Sequence, residues 1–441
     1  MKTFYHLLGN TVLSSITNMT VWFSLVFFIY LETQSVTATS IVSGIYLVVV
    51  AVSGFWFGSL VDHYKKKIVM LISGFVSLFI FAIAFGIYLS TDPETWKNPA
   101  SLMLWLFVPL ILLGVIAGNV RGIALPTLIT VLIPEDERDK ANGLAGTATG
   151  IAFLIVSAIS GFLVGHSGLY LVLILAITMM IISIIHLFTL SIPENEIVHT
   201  SENRPKMDIR GTYVIVAAIP GLIALIFFTT FNNFLGGVYM GLLDAYGLSL
   251  VSVQVWGVLF AVLSCGFIVG GLFIAKFGLG KNPLAAMFAA NICIWIVSSV
   301  FTIQPSIILL TIGMFIYLSV VPFIEAAEHT IIQKVVPHER QGRVFGFAQS
   351  VEMSASPLTT FFIGPIAELI FIPFMTTGAG VDLIGDWFGT GSSRGIALVF
   401  TVTGLIGLGI TLLALNSKHY KLLSAQFTTV EPRISLEGEL T

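Results

Sequence analysis

The chain has 441 residues, of which 56% are hydrophobic and only 10% are charged. A soluble domain carries about 25% charged residues, so this composition excludes a soluble globular protein. Both cysteines, Cys265 and Cys293, fall in apolar stretches, which argues against a disulfide framework.

Apolar stretches of membrane-spanning length follow one another along almost the whole chain. A span needs about 20 apolar residues, and the first stretch lacks the small-residue cleavage site of a secretory signal. The hydropathy pattern predicts twelve spans, to within several residues at each end, at roughly 7–30, 39–60, 68–90, 102–125, 143–165, 169–191, 212–236, 251–275, 284–303, 306–330, 345–370 and 395–415.

Positive charge is concentrated on one side of these spans. Of the 20 Lys and Arg residues, all but three fall in segments on the side of the two chain ends. Lys97 and Arg394 fall on the other side, and Arg121 falls within the fourth span. Because cationic loops resist translocation, this bias predicts a multi-pass protein of the bacterial inner membrane with both termini in the cytoplasm.

A polar stretch from Ser191 to Arg210 divides the spans into two sets of six. We therefore predict an all-α polytopic membrane protein with twelve transmembrane helices in two pseudo-symmetric six-helix bundles, at 1–191 and 211–416. A cytoplasmic linker at 192–210 is expected to join the bundles, and a cytoplasmic tail is expected at 417–441.

The two halves also share a residue pattern. A shift of 203 residues aligns Thr127 with Thr330, Pro134 with Pro337, Lys140 with Arg343 and Gly143 with Gly346. The alternative is that any cytoplasmic turn before a helix carries proline and charge. Glycines spaced four apart predict close helix contacts in lipid, at Gly54/Gly58, Gly146/Gly150, Gly161/Gly165 and Gly266/Gly270.

The loop between the second and third spans reads Gly58-Ser-Leu-Val-Asp62-His-Tyr-Lys65-Lys66-Lys67. It resembles the signature loop of the major facilitator superfamily, G-x-L-x-D-(R/K)-x-G-(R/K)-(R/K), at Gly58, Leu60, Asp62, Lys66 and Lys67. His63 replaces a basic residue, and Lys65 replaces the second glycine. The second departure is shared with the macrolide-efflux and enterobactin-exporter branch, which this chain resembles over essentially its whole length.

The resemblance implies alternating access, with a gating loop formed by Gly58, Asp62, Lys66 and Lys67. Asp62 is expected to accept hydrogen bonds from the N–H groups that begin the eleventh helix, where the helix dipole favours a carboxylate. The lysines are expected to anchor to anionic headgroups or acidic loops, with a plain solvated turn as the alternative. A second copy of the loop follows the eighth span at Gly271-x-x-x-Ala275, where the acidic residue is missing.

Ionisable residues within the spans are candidates for proton coupling or gating, because a charge in the bilayer costs about 3 kcal/mol or more. The tenth span carries Glu325, Glu328 and His329, and the eleventh carries Glu352. The shift of 203 places Arg121 beside Glu325, so Arg121 is predicted to pair with Glu325 or Glu328 across the two halves. The alternative is that Arg121 and Glu328 extend to the inner headgroups.

Amides and aromatic rings on other spans predict a cavity for bulky, partly apolar solutes, which bind by stacking and a few amide hydrogen bonds. These substrate-cavity candidates are Asn18, Trp22, Phe231, Asn232, Asn233 and Gln254. The Gly-rich segment after the eleventh span, at 376–391, is expected to be an outer loop that anchors at the membrane interface, with a lid as the alternative.

Together these features predict a secondary active transporter that exports amphipathic, drug- or siderophore-like molecules and is coupled to protons. The alternatives are an importer or facilitator of a small metabolite, and a receptor or scaffold. A membrane-embedded enzyme is disfavoured, because the sequence contains no H-E-x-x-H, phosphate-loop or G-x-S-x-G motif. We expect a monomer with a small-molecule substrate, protons and the lipid bilayer as partners, and with no nucleic acid, cofactor or metal.

Overall fold

Helices make up nearly all of the backbone that the computed structural model describes, which is residues 2–33, 36–194 and 208–428. The first half contains α1 (Lys2–Thr33), α2 (Val36–His63), α3 (Lys66–Ser90), α4 (Pro93–Lys97), α5 (Leu102–Gly118), α6 (Arg121–Leu132), α7 (Arg138–Ser167) and α8 (Tyr170–Thr189). The second half contains α9 (Ile209–Ala218), α10 (Leu222–Leu250), α11 (Val253–Phe277), α12 (Pro283–Val300), α13 (Ile307–Val335), α14 (Gln341–Met353), α15 (Ala355–Ile366), α16 (Ile372–Thr376), α17 (Ala379–Phe388), α18 (Ser392–Leu415) and α19 (Lys418–Thr428).

Twelve helical segments of the described chain are long and apolar enough to cross a membrane. Two of them are interrupted. The fourth consists of α5 and α6, and the eleventh of α14 to α16 with a π-helical turn at Ala367–Phe371. Because proline lacks an N–H group and crowds the preceding turn, Pro365 and Pro373 account for part of this irregularity. The predicted all-α fold with twelve transmembrane helices is confirmed.

The predicted position of the seventh span, 212–236, is wrong. The span is α10, which runs from Leu222 to Leu250, and the apolar residues before it form the separate short helix α9. Pro220 and Gly221 break the two helices apart, and Gly221 adopts a left-handed conformation with φ +86°. Hydropathy missed this break because apolar residues lie on both sides of it.

Two predicted loops contain helices. Within the supposed outer loop at 376–391, α17 exposes Leu383 and Trp387 and buries Phe388. Within the supposed tail at 417–441, α19 packs under the second half, where Leu423 is buried and Ser424 accepts a hydrogen bond from Asn282. Residues 195–207 of the predicted linker and 429–441 of the predicted tail lie outside the described residues.

Large apolar side chains are exposed along the spans. Leu102, Phe162 and Phe361 are 73%, 73% and 76% exposed. A soluble monomer does not carry so many exposed apolar groups, whereas a lipid environment suits them.

The connections from α2 to α3, α6 to α7, α11 to α12 and α13 to α14 gather at one end of the molecule, here called the basic end because most lysines and arginines lie there. The two halves, called the N-terminal bundle (α1–α8) and the C-terminal bundle (α10–α18), meet along α2 with α14 and along α7 with α11. Beyond α14, α15 packs on α10 of its own bundle.

Glycines explain why the bundles approach so closely near the basic end. A Cβ on Gly58 would lie 2.5 Å from the carbonyl oxygen of Gly342, and one on Gly150 would lie 2.7 Å from the Cβ of Phe267. By contrast, Gly161 and Gly165, farther from the basic end on α7, have nothing within 4 Å. The predicted close contact at that third pair is therefore not formed in this conformation.

Candidate functional site: the closed seam and the inter-bundle cavity

Asp62 joins the two bundles at the basic end. Its carboxylate accepts hydrogen bonds from the backbone N–H groups of Gly342, at 2.6 Å, and Arg343, at 3.0 Å. The guanidinium Nε of Arg343 lies 3.2 Å from the same carboxylate. The first N–H groups of α14 have no partner within their own helix, so Asp62 satisfies two of them and places negative charge at the positive end of the helix dipole. This is the contact that the resemblance implies.

Two lysines of the loop make hydrogen bonds to the segment that ends the N-terminal bundle. The backbone N–H groups of Lys66 and Lys67 donate to the carboxylate of Glu194, at 2.6 and 2.9 Å. The Nζ of Lys67 donates to the carbonyl oxygens of Phe188 and Leu190 at the end of α8. Anchoring of the lysine side chains to headgroups or to acidic loops stays a prediction.

A buried amide network links α6 and α7 of the N-terminal bundle to α13 of the C-terminal bundle. Asn142 donates to the hydroxyl of Thr330, at 2.9 Å, and to the side-chain oxygen of Gln333, at 2.8 Å. Gln333 in turn donates to the carbonyl oxygen of Pro126, at 2.7 Å. Because unpaired amides are costly away from water, this reciprocal bonding favours the closed arrangement. The sequence offered no motif for it.

A cavity of about 160 Å³ lies between the bundles, next to this network. Glu325 and His329 of α13 line it, and Glu325 is exposed to it while His329 is partly buried. The other lining residues come from α1, α6, α7 and α13: Leu8, Thr11, Val12, Ser15, Arg121, Gly122, Leu125, Pro126, Ile129, Asn142, Ala145, Gly146, Ala148, Thr149 and Ala326.

Arg121 does not make the predicted salt bridge with Glu325 or Glu328 within the described residues. Its guanidinium Nη1 donates to the amide oxygen of Asn10, at 2.6 Å, and Asn10 donates to the carbonyl oxygen of Ser183, at 2.8 Å. The side chain is 3% exposed, so it does not extend to a headgroup either. Arg121 binds Asn10 rather than a glutamate because the amide oxygen of Asn10 is an acceptor within the same bundle.

Glu328 and Glu352 lie side by side on α13 and α14, and each is 8% exposed. The two carboxyl groups are close enough to interact electrostatically. Two adjacent buried carboxylates repel each other when both are ionised, so such a pair is suited to hold one proton between its two members. α14 ends at Met353, directly after Glu352, and this junction is a point where the eleventh span can bend.

The substrate-cavity candidates lie outside the 160 Å³ cavity. On α1, a side chain at Gly118 would overlap the amide of Asn18, so Asn18 rests on the backbone of α5. Trp22 stacks on Tyr46 of α2 with ring centroids 4.0 Å apart.

On α10, Phe231 stacks on Phe234 with ring centroids 6.2 Å apart. The amide oxygen of Asn232 accepts a hydrogen bond from Trp295, at 2.9 Å, so Asn232 is engaged within its own bundle. Asn233 is partly buried beside it, and the side chain of Gln254 lies outside the described residues. The role of all six residues in substrate binding stays a prediction.

Arg394 has a structural position that the sequence did not reveal. It lies at the start of α18, 2% exposed. Its guanidinium donates to the carbonyl oxygens of Phe388, Thr302 and Ile303 and to the hydroxyl of Tyr246. It therefore ties α10, α17 and α18 to the turn that follows α12, at the end opposite the basic end.

Comparison with known proteins gives one family. A family model described as Major Facilitator Superfamily matches residues 7–360. Macrolide efflux protein A of Streptococcus pyogenes is 22% identical over 383 residues, which cover 83% of this chain and 90% of that protein.

Solved structures of similar fold include the human organic anion transporter MFSD10, with a TM-score of 0.67 and 11% identity over 92% of this chain and 99% of that chain. A bacterial homologue of the iron transporter ferroportin, in an outward-facing state, has a TM-score of 0.67 and 12% identity over 95% of this chain and 100% of that chain. At such low identity these likenesses show the fold alone. The family match spans most of the chain, and the family consists of transporters rather than enzymes. The chain belongs to the major facilitator superfamily of membrane transporters.

Proposed function

We propose that this protein exports amphipathic small molecules from a bacterial cytoplasm in exchange for protons. The observation that carries the proposal is the carboxyl group of Glu325, which faces the inter-bundle cavity with no cation bonded to it among the described residues. About 15 Å of helix separates Glu325 from the end of α13, and from this distance we infer that Glu325 lies within a hydrocarbon layer about 30 Å thick. An ionisable group at that depth is a functional candidate by default.

The arrangement of the bundles supports an outward-facing state. The bonds between bundles at Asp62 and Asn142 lie at the basic end, which we assign to the cytoplasm because cationic loops stay there. Away from that end, a Cβ added to Gly161 or Gly165 would meet no atom of another helix within 4 Å. In such a state Glu325 is accessible from outside, where it can take up a proton before the cytoplasmic end opens.

The carboxyl pair of Glu328 and Glu352 supplies a second place for a proton, and its position links it to the seam. Glu352 is at one end of α14, and Gly342 and Arg343, which bind Asp62, are at the other. Loss of the shared proton would place two negative charges side by side in a buried site, which strongly disfavours their contact. Proton release to the cytoplasm would thereby favour movement of α14 and opening of the basic end.

The substrate class is inferred from the cavity and from a relative. The cavity of about 160 Å³ is smaller than the roughly 300–1,000 Å³ of drug-sized ligand sites, so it must widen to hold a bulky molecule. Trp22 with Tyr46 offers an aromatic surface farther along α1. The likeness to a macrolide efflux protein, at 22% identity, supports bulky and partly apolar substrates.

The test uses the full-length protein in proteoliposomes with a pH-sensitive dye inside and a panel of macrolides, lipophilic cations and siderophore-like compounds. Substrate-dependent proton movement is expected for the wild type and for Glu368→Gln, a control that neutralises an exposed glutamate near the far end of the eleventh span. Glu325→Gln is expected to lose it. Proton movement that persists in Glu325→Gln, or labelled substrate that equilibrates without any proton movement in the wild type, would refute the coupling proposal and favour a facilitator.

A further inference from the structure

Two helix contacts join the bundles at the basic end: α2 with the start of α14, called the first seam, and α11 with the start of α7, called the second seam. The starts of α7 and α14 are related by the shift of 203 residues found in the sequence. The short 3-10 turns at Glu135–Glu137 and His338–Arg340 coincide under this shift, as do the first residues of α7 and α14, Arg138 and Gln341. The contact between α2 and the start of α14 therefore corresponds to a contact between α11 and the start of α7.

At the second seam the sequence lacks the acidic residue that acts at the first. Asp62 on α2 corresponds to Ala275 on α11 through the two copies of the loop, which are 213 residues apart (Gly58 to Gly271, Asp62 to Ala275). Alanine offers no acceptor, so on the sequence alone the second copy of the loop has lost its contact.

The structure contains a carboxylate at this place, supplied from the other side of the seam. The Oδ2 of Asp139, in the first turn of α7, accepts a hydrogen bond from the backbone N–H of Leu279, at 2.7 Å. Asp139 corresponds under the shift to Gly342, which is the residue that Asp62 binds. Donor and acceptor have thus exchanged sides between the two seams.

Local geometry is fitted to this bond. Gly278 ends α11 with φ +71°, a conformation that glycine adopts without strain. A Cβ on Gly278 would lie 2.5 Å from the Oδ2 of Asp139, so a larger residue there would displace the carboxylate from its present position. Asp139 also lies at the positive end of the α7 dipole, where a negative charge is favoured.

We propose that Asp139 is the second gate residue of the transporter and holds the C-terminal bundle at Leu279 as Asp62 holds it at Gly342. Both carboxylates belong to the N-terminal bundle, and both accept N–H groups of the C-terminal bundle. Opening of the basic end must break both contacts. Asp139 is a positioning residue that acts on the balance between conformations, so its role does not depend on the transported ion or on the direction of transport.

The test measures the distance across the second seam in full-length protein that carries Cys265→Ser and Cys293→Ser. Spin labels are placed at Lys140→Cys and Lys281→Cys, two exposed positions on the two bundles. Asp139→Ala is expected to raise the fraction of long, open distances by about threefold or more. Asp139→Asn retains an oxygen acceptor and is expected to have a smaller effect. Asp136→Ala, an exposed aspartate in the neighbouring turn, is the matched control and is expected to have none.

Rescue separates a gate from a merely structural role. The double variant Asp139→Gly with Ala275→Asp rebuilds at the second seam the arrangement of the first, and it should restore the short distance. The proposal is overturned if Asp139→Ala leaves the distances unchanged, if Asp136→Ala shifts them equally, or if the rescue variant remains open. The readout needs neither substrate nor a proton gradient, so failure here is distinct from failure of the export proposal.

Discussion

Arg121 and Glu325 line the same cavity from opposite bundles, yet the guanidinium is bonded to Asn10 and the carboxylate is left facing the cavity. A buried arginine that leaves Nε and Nη2 without a described partner is held in place chiefly by this single amide. The contact with Asn10 therefore decides whether Arg121 stays inside the N-terminal bundle or becomes available to Glu325.

Replacement of Asn10 by alanine is expected to destabilise the protein, because it removes the acceptor of a charge-assisted hydrogen bond, which contributes about 1.5–3 kcal/mol. Asn10→Asp keeps an acceptor for Arg121 and adds a negative charge, but it loses the hydrogen bond to the carbonyl oxygen of Ser183, so it should destabilise the protein less than Asn10→Ala does. Melting temperatures of the purified protein in detergent measure both changes. Asn416→Ala, which changes an exposed amide bonded only within its own helix, is the control. Equal melting temperatures for Asn10→Ala and the wild type would contradict the assigned role.

A methyl group at Gly58 is expected to keep the basic end from closing. The added Cβ would lie 2.5 Å from the carbonyl oxygen of Gly342, and overpacking of this kind costs about 1–3 kcal/mol. The ratio of closed to open molecules should therefore fall by about 5- to 150-fold, with a matching loss of transport. Cysteine cross-linking between α2 and α14 measures the fraction of closed molecules. Gly44→Ala on the same helix, where an added Cβ meets nothing within 4 Å, should behave as the wild type. A normal cross-linking yield in Gly58→Ala would contradict the role of Gly58 in the close contact between α2 and α14.

Much of the fold and one contact of the site followed from the sequence, because they depend on patterns along the chain. Hydropathy predicted the number of spans and the positions of all but the seventh, and the signature loop identified Asp62 as the partner of a helix N-terminus. The shift of 203 residues predicted that Arg121 lies at the depth of Glu325. The shift could not predict the direction in which a side chain points from its helix. That direction is what brings Arg121 to Asn10.

Asp139 illustrates the same limit. A pattern read within one copy of the loop showed only that Ala275 replaces the acid. The compensating carboxylate belongs to another helix of the other bundle, and its bond to a backbone N–H leaves no signature in the residue type of Leu279. The break before α10 was missed for a comparable reason, since apolar residues continue through it and only Pro220 and Gly221 mark it.

Glu352→Gln is expected to preserve the fold while it changes the number of protons moved per substrate. A glutamine amide can donate to Glu328 as a protonated carboxyl does, so the contact between α13 and α14 should persist and the melting temperature should stay close to that of the wild type. The variant can no longer exchange the shared proton at this position. Simultaneous measurement of proton and labelled substrate fluxes gives the ratio. Glu339→Gln at the exposed basic end is the control, and an unchanged ratio in Glu352→Gln would exclude the pair from coupling.

Arg394→Lys is expected to weaken the end opposite the basic end without altering proton coupling. The guanidinium donates to three carbonyl oxygens and the hydroxyl of Tyr246, and its central carbon lies 4.2 Å from the ring centroid of Phe388. A lysine ammonium lacks the planar fork that serves these acceptors together. Buried acceptors left unpaired should then lower the free energy of unfolding by about 2–4 kcal/mol. Because Arg394 is remote from Glu325 and from both seams, the ratio of protons to substrate in the folded variant should equal that of the wild type. A changed ratio would show that the hydrogen bonds of Arg394 take part in the transport cycle.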